Sequence, residues 1–364
     1  MADNIKVPIV DLAREFRLYE KDLIKIFKTV GRSGQYVLGE AVSEFESSFA
    51  SLCDTNHAVS CANASDGLEI ALKAVGVGPG DEVITAANSF ISSGGAIAAL
   101  GAIPIFADIR DDLNIDPEAI EHNITKKTKA IMPVHLTGRP APMDEILFLA
   151  QKYNLKVVED SAQAVGASYK NQKVGSMGDI GVFSLHPLKN LHVYGDGGVI
   201  TTNDPELNTF MVKYRNHGLR DRDNLEFWGK NSRLDSLQAK IASYKLKKIE
   251  KINDRFRQIA AEYQEQLGSY VTVPQDKPYE HSIYHNFVII SDERDLLMEH
   301  LIQSGVDVKI RYPIPLNLQG CMPKRGQAPN AERIARSMLS LPIFPTIEET
   351  EISYVIDKVK EFFK

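Results

Sequence analysis

The chain has 364 residues, 43% apolar and 25% charged, with 42 basic against 48 acidic side chains and a net charge of −6. That length can bury a large core and suits one large plus one smaller domain, and the composition is that of a soluble globular protein. The acidic balance argues against nucleic acid or an anionic membrane surface as the main partner.

Met1 to Leu12 lacks a basic start followed by an apolar core, so no secretory leader is expected. No apolar run approaches the ~20 residues a membrane span requires. Predicted strands then alternate with helical patterns. Strands are expected over 82–85, 103–107, 130–134, 156–159, 181–184 and 198–201, and helices over 66–75, 92–100 and 143–152. This alternation predicts a mostly parallel or mixed α/β sheet covered by helices on both faces.

Leu237, Ile241, Tyr244, Ile249, Ile252, Phe256, Ile259 and Tyr263 recur at near-helical spacing and predict one long helix leading into a smaller domain. Residues 1–245 are assigned to the large domain and 246–364 to the small α+β one, with the first ~30 residues packing on the latter. Beyond the long helix, 286–290 and 306–310 read as strands and 296–303 and 347–362 as helices. The basic runs Lys126–Lys129 and Lys245–Lys248 read as solvated faces. Cys53, Cys61 and Cys321 make no metal spacing and suit a reducing cytoplasm. His186 and His192 are assigned to packing or hydrogen bonding, not to a metal.

Three segments carry chemistry. In Gly181–Gly198, GVFSLHPLKNLHVYGDGG, Lys189 follows a strand and a proline turn and precedes a glycine-rich segment. A lysine amine serves a carbonyl cofactor when it is held in place and burial or a nearby cation disfavours its proton. Alone, the segment suits a surface turn equally well. Upstream, Asp160 ends the strand KVVED, at the edge of an α/β sheet where ligands bind. A carboxylate there suits the ring nitrogen of pyridoxal phosphate, and Gln163 the ring's 3-oxygen. The competing role for an isolated Asp is a helix cap or strand-end ion pair. Cys61-Ala62-Asn63-Ala64-Ser65-Asp66-Gly67 opens a helix whose free N–H groups suit a phosphate, although it is no P-loop and also fits an ordinary cap.

Taken in order, Ala64/Ser65, Phe90, Asp160 and Lys189 resemble the cofactor site of the DegT/DnrJ/StrS sugar-nucleotide aminotransferases. The likeness extends through Gly80–Ile84, Pro104–Asp108, Val134–Gly138, Glu159–Ala164, Asn231–Ala239 and Tyr312–Pro315. It implies an aspartate-aminotransferase-like fold (pyridoxal-phosphate fold-type I) with a seven-stranded sheet. It also implies that Lys189 carries the cofactor as a Schiff base and moves protons. Asp160 would hold the ring nitrogen, Gln163 the ring oxygen and Phe90 the ring face, while Ala64, Ser65 and Ser184 bind the phosphate. Asn231 matches an asparagine that reaches the neighbouring subunit's phosphate, which implies a homodimer with shared sites.

Two departures stand out. Ala64-Ser65 replaces the usual Gly-Thr, and Asn317 stands where many relatives have a histidine near the sugar nucleotide. Tyr312 and Asn317 are the expected substrate contacts. The resemblance implies amino transfer, with L-glutamate as the expected donor, to a keto-sugar nucleotide in deoxysugar, lipopolysaccharide or glycan biosynthesis. The form HPLKNL…GDGG favours a dTDP-linked 3-keto-6-deoxyhexose. Amination at C-4 of a dTDP, UDP or GDP sugar is the alternative, followed by a dehydratase (whose histidine in place of the lysine is missing here) and by a non-catalytic pyridoxal-phosphate-binding regulator.

Overall fold

The computed structural model describes residues 5–321 and 327–364; the first four residues of the stretch read for a leader lie outside them. The central sheet has seven strands: β1 (His57–Cys61), β2 (Glu82–Ala86), β3 (Ile103–Ala107), β4 (Thr128–Met132), β5 (Lys156–Asp160), β6 (Ile180–Ser184) and β7 (Gly198–Thr202). Their order is β1-β7-β6-β5-β4-β2-β3. Every neighbouring pair from β6 to β3 is parallel, while β7 runs antiparallel to both β6 and β1.

Helices α1 (Leu12–Ser33), α2 (Glu40–Leu52), α3 (Ala64–Ala74), α4 (Ile91–Ala99), α5 (Pro117–Asn123), α6 (Met143–Tyr153), α7 (Pro205–Tyr214) and α8 (Ser236–Leu246) surround it. Side chains alternate across a strand, and this divides the core. Val83, Met132, Val158, Val182 and Ile200 face α3, α4 and α7. Their neighbours Ile84, Ile131 and Val157 face α6, and Phe183 and Val199 face α2 and α8. These strands are buried on both faces, which is why they read as continuous apolar runs.

A second core joins α9 (Ile249–Leu267), α10 (Arg294–Gln303) and α12 (Glu349–Phe362) to the antiparallel pair β8 (Phe287–Ile290) and β9 (Met338–Leu341). Helix α11 (Pro329–Ser337) lies between the two cores, with Ala331 and Ile334 in the first. Val7 joins the second core and bridges Val306, and Arg14 of α1 forms a forked ion pair with Glu351 of α12.

Three expectations are corrected. The long helix is two, α8 and α9, broken at Lys247-Lys248. No glycine or proline breaks it: Ala239 and Ala242 pack on the sheet's core, whereas Ile252, Phe256 and Ile259 pack on the second, and one straight axis cannot serve both. Residues 306–310 form only single bridges, to Val7 and Ser340, and no regular strand. Lys245 is no solvated lysine; it is 1% exposed and pairs with Glu15.

Candidate active site

The carboxyl ends of β1, β2, β5 and β6 open on one cavity of about 630 Å³, a volume that suits a small-molecule site. Ala64, Ser65, Phe90, Asp160, Gln163, Ser184, Lys189 and Tyr312 all line it. The fold thus gathers residues spread over nearly 250 positions of sequence.

The reversed strand β7 helps to shape this edge. Its first residue, Gly198, pairs with both Ser184 and Cys61. A Cβ there would lie 2.6 Å from the carbonyl carbon of Asn63, so only glycine lets the Asn63 turn close. Asn63 then caps α3, its side chain accepting from the N–H of Asp66, and leaves the N–H groups at the helix start facing the cavity. Helix α4 begins nearby, and the Ser65 and Ser92 hydroxyls meet at 2.7 Å. Two helix starts and two hydroxyls make a donor-rich cradle suited to a phosphate.

Asp160, 4% exposed, accepts from the Ser93 hydroxyl at 2.7 Å and the Ala162 N–H at 3.2 Å. Burial raises its pKa, and those hydrogen bonds, then Lys189 and His135, oppose the rise. A buried carboxylate held so is completed by a cationic N–H. Gln163 is clamped from both sides. Its Oε1 accepts from the Thr137 N–H at 2.9 Å and its Nε2 donates to the Tyr312 hydroxyl at 3.0 Å. Thr137 (φ 59°) and Tyr312 (φ 55°) both occupy the left-handed region, which non-glycine residues adopt at a cost. Phe90 is 52% exposed, its ring 6.4 Å from that of Tyr312.

Lys189 sits in the turn after β6, its N–H bonded to the His186 carbonyl. Its Nζ lies 3.3 Å from His285 Nε2. Burial pushes the Lys189 amine down to about 8, with Asp160 opposing and Arg311 adding to the fall. The same burial, with Lys189 and Arg311 nearby, holds His285 well below the usual imidazole range, so it is neutral. A neutral imidazole accepts an N–H and leaves the amine's lone pair to the cavity.

Two expected residues are not brought here. Asn317 does not line the cavity: it is buried and donates to Glu332 at 3.0 Å, while Leu316 and Gln319 on either side face the cavity. The turn Leu316–Leu318 directs its side chain toward α11 instead. Asn231 is exposed, away from this chain's own cavity. Sequence reasoning missed Ser93, His285 and Arg311. Ser93 lies in the run Ser92-Ser93-Gly94-Gly95, and Arg311 directly precedes the Tyr312-Pro313 motif, so both had a local signal. His285 had none.

Compared with known proteins, the chain matches the DegT/DnrJ/EryC1/StrS aminotransferase family over residues 18–360. It is 39% identical to a pleiotropic regulatory protein of Geobacillus stearothermophilus, covering 99% of each chain. It is 40% identical to a dTDP-3-amino-3,6-dideoxy-alpha-D-galactopyranose transaminase of Aneurinibacillus thermoaerophilus, over 98% of this chain and 99% of the relative. Its structure is similar to S. venezuelae DesV in complex with a ketimine intermediate, with a TM-score of 0.95, 38% identity and 98% of each chain covered. The chain belongs to this family and has its aminotransferase fold; it is an aminotransferase whose cofactor is pyridoxal 5′-phosphate.

Proposed function

We propose that this member of the DegT/DnrJ/EryC1/StrS aminotransferase family moves an amino group from L-glutamate to a sugar nucleotide, a dTDP-linked 3-keto-6-deoxyhexose, giving a 3-amino sugar. The observation that carries the reading is the meeting, in one cavity, of a lysine of lowered basicity and a buried carboxylate. The donor set fits the cofactor. Asp160 would hold its ring nitrogen, Gln163 its ring oxygen, Phe90 its ring face, and Ala64, Ser65 and Ser184 its phosphate. When bound, pyridoxal phosphate supplies an electron sink for the substrate carbon.

The chain's own residues supply the rest. Lys189 takes and returns a proton at the substrate carbon, as an amine with a pKa about 8 does efficiently near neutral pH. Asp160, fixed by Ser93 and Ala162, keeps a negative charge where a cationic ring is needed. Tyr312 holds Gln163 in its orientation and walls the substrate side. Phe90, Leu188 and Ile314 give that side an apolar surface that suits a deoxygenated sugar. The Aneurinibacillus relative's name supports C-3 and dTDP.

The exposed Asn231 supports a homodimer in which Asn231 of the partner subunit completes the phosphate site. The free thiols of Cys53, Cys61 and Cys321 support a cytoplasmic setting. The name of the Geobacillus relative favours a second reading, a cofactor-binding regulator. One experiment separates them. Glutamate should bleach the yellow holoenzyme, and a nucleotide-linked 3-keto sugar should restore the colour. A colour unmoved by glutamate would sink the enzyme reading, and restoration by 4-keto sugars alone would move the chemistry to C-4.

A further inference from the structure

Arg139, Arg215 and Arg294 are buried, and each is paired with a carboxylate: Asp276, Glu46 and Asp295. Arg311 differs. Among the described residues no carboxylate forms an ion pair with it, and its Nε is buried with no hydrogen-bond partner. It lines the main cavity and a smaller one behind it, and Lys189, His285 and Asn286 do so too. Arg311 is itself only partly buried, but its sequestered Nε lacks a partner, and leaving such a donor unmade is unfavourable, so an anion in the cavity would complete the group.

The phosphate cradle shares only the main cavity with Arg311. Ser65 and Ser92 line the main cavity but not the smaller one. Arg311 and Lys189 share both cavities, so a molecule that meets Lys189 brings its own anion within the space Arg311 lines. A guanidinium fork matches a carboxylate, whose two oxygens accept two parallel N–H groups. An α-amino acid presents a carboxylate two bonds from the amine that must reach the position of Lys189. A sugar bearing a carboxyl group offers the same chemistry from the other substrate.

We propose that Arg311 is the carboxylate-recognition residue of this cavity, with the amino donor's α-carboxylate as its first ligand. The inference rests on the aminotransferase reading above, but half of its test needs no sugar. The holoenzyme, Arg311→Gln and Arg311→Lys are compared, with thermal melting to show that each variant folds. Glutarate, a dicarboxylate without a reactive amine, is titrated by calorimetry. Glutamate KM is measured from bleaching of the cofactor. The pyridoxamine forms are then given a neutral 3-keto sugar nucleotide and its 6-carboxyl counterpart.

Arg311→Gln is expected to raise the glutarate Kd and the glutamate KM by at least about tenfold, the equivalent of one charge-assisted hydrogen bond. The KM for the neutral sugar should stay within about twofold, less than the loss of such a bond would give. Arg311→Lys should fall between, since it keeps the charge and loses the fork. A loss confined to the carboxyl sugar would support carboxylate recognition and identify the sugar as its source. Unchanged binding of glutarate, glutamate and the carboxyl sugar would overturn the proposal, as would an equal loss for the neutral sugar. Rejection of every sugar by an enzyme that glutamate still bleaches would count against the sugar reading, not against Arg311.

Discussion

Two lysines are drawn into this molecule, and only one is poised to react. Lys245 is 1% exposed and its Nζ lies 3.0 Å from Glu15 Oε1, 2.6 Å from His192 Nε2 and 4.7 Å from the centre of the Tyr194 ring. Among the described residues, the Lys189 amine meets only the neutral His285 within hydrogen-bonding reach, with Arg311 nearby. Burial lowers the basicity of both. At Lys245 a contacting carboxylate holds the ammonium form, whereas at Lys189 the nearest group is an uncharged acceptor. Burial makes a lysine uncomfortable; its partner decides whether it sheds the proton. The two are also linked. The Lys245 ammonium can only donate, so His192 accepts through Nε2 and donates through Nδ1 to the Lys189 carbonyl at 2.8 Å. The locked lysine thus braces the main chain of the reactive one.

The comparison can be tested at its strongest point first. Lys189→Ala should abolish turnover while leaving the fold intact. Borohydride reduction of the wild-type holoenzyme, followed by peptide mass spectrometry, should find the cofactor on Lys189. Attachment to Lys245 would erase the distinction. Lys245→Met should instead act on stability, lowering it by about 3–5 kcal/mol because Glu15 is left as an uncompensated buried charge. The double variant Glu15→Gln/Lys245→Met should recover most of that loss in urea titration; no recovery would mean the pair is not the cause.

Asp160→Asn removes the charge opposing Arg311 at Lys189 and the counter-ion for the ring nitrogen. Cofactor affinity should fall by about 1.5–3 kcal/mol, read by equilibrium dialysis, and turnover by orders of magnitude. Near-normal turnover would place the ring nitrogen's partner elsewhere.

The effect that needs the finest measurement is on pH. In the cofactor-free protein Lys189 releases its proton at about 8, against an ordinary 10.5 for an unfolded lysine. Between those values the unfolded chain binds the extra proton, so stability should rise with pH across that window. Lys189→Met should lack this rise, and the urea midpoints of the two proteins should diverge from pH 8 upward. Parallel midpoints would show that the amine is not depressed.

Much of this architecture was legible. The six predicted strands of the sheet lie within two residues of those formed, because strands buried on both faces leave uninterrupted apolar runs between turns. His57–Cys61 escaped because HAVSC is short and polar at one end; its place is set by pairing with β7. The split between α8 and α9 could not be read from periodicity, which runs unbroken across Lys247-Lys248 while the packing partners change. Lys245 looked solvated because a basic run says nothing of Glu15, 230 residues away. Lys189, Asp160 and Gln163 sit in motifs local enough to be read, whereas His285 arrives from another element. Asn317 was misplaced because a register within a short turn decides which side chain faces inward.

The clamp on Gln163 has a consequence for selectivity. Thr137 occupies its oxygen and Tyr312 takes one of its two N–H bonds, so the amide is fixed in direction and a molecule in the cavity meets its remaining hydrogen. Both holders adopt a backbone form that costs on the order of 1–2 kcal/mol in a residue with a Cβ, and rotating the amide would leave the Thr137 N–H without its acceptor. The site therefore selects by direction before charge: the fixed amide presents its remaining N–H to a ring substituent that accepts a hydrogen bond.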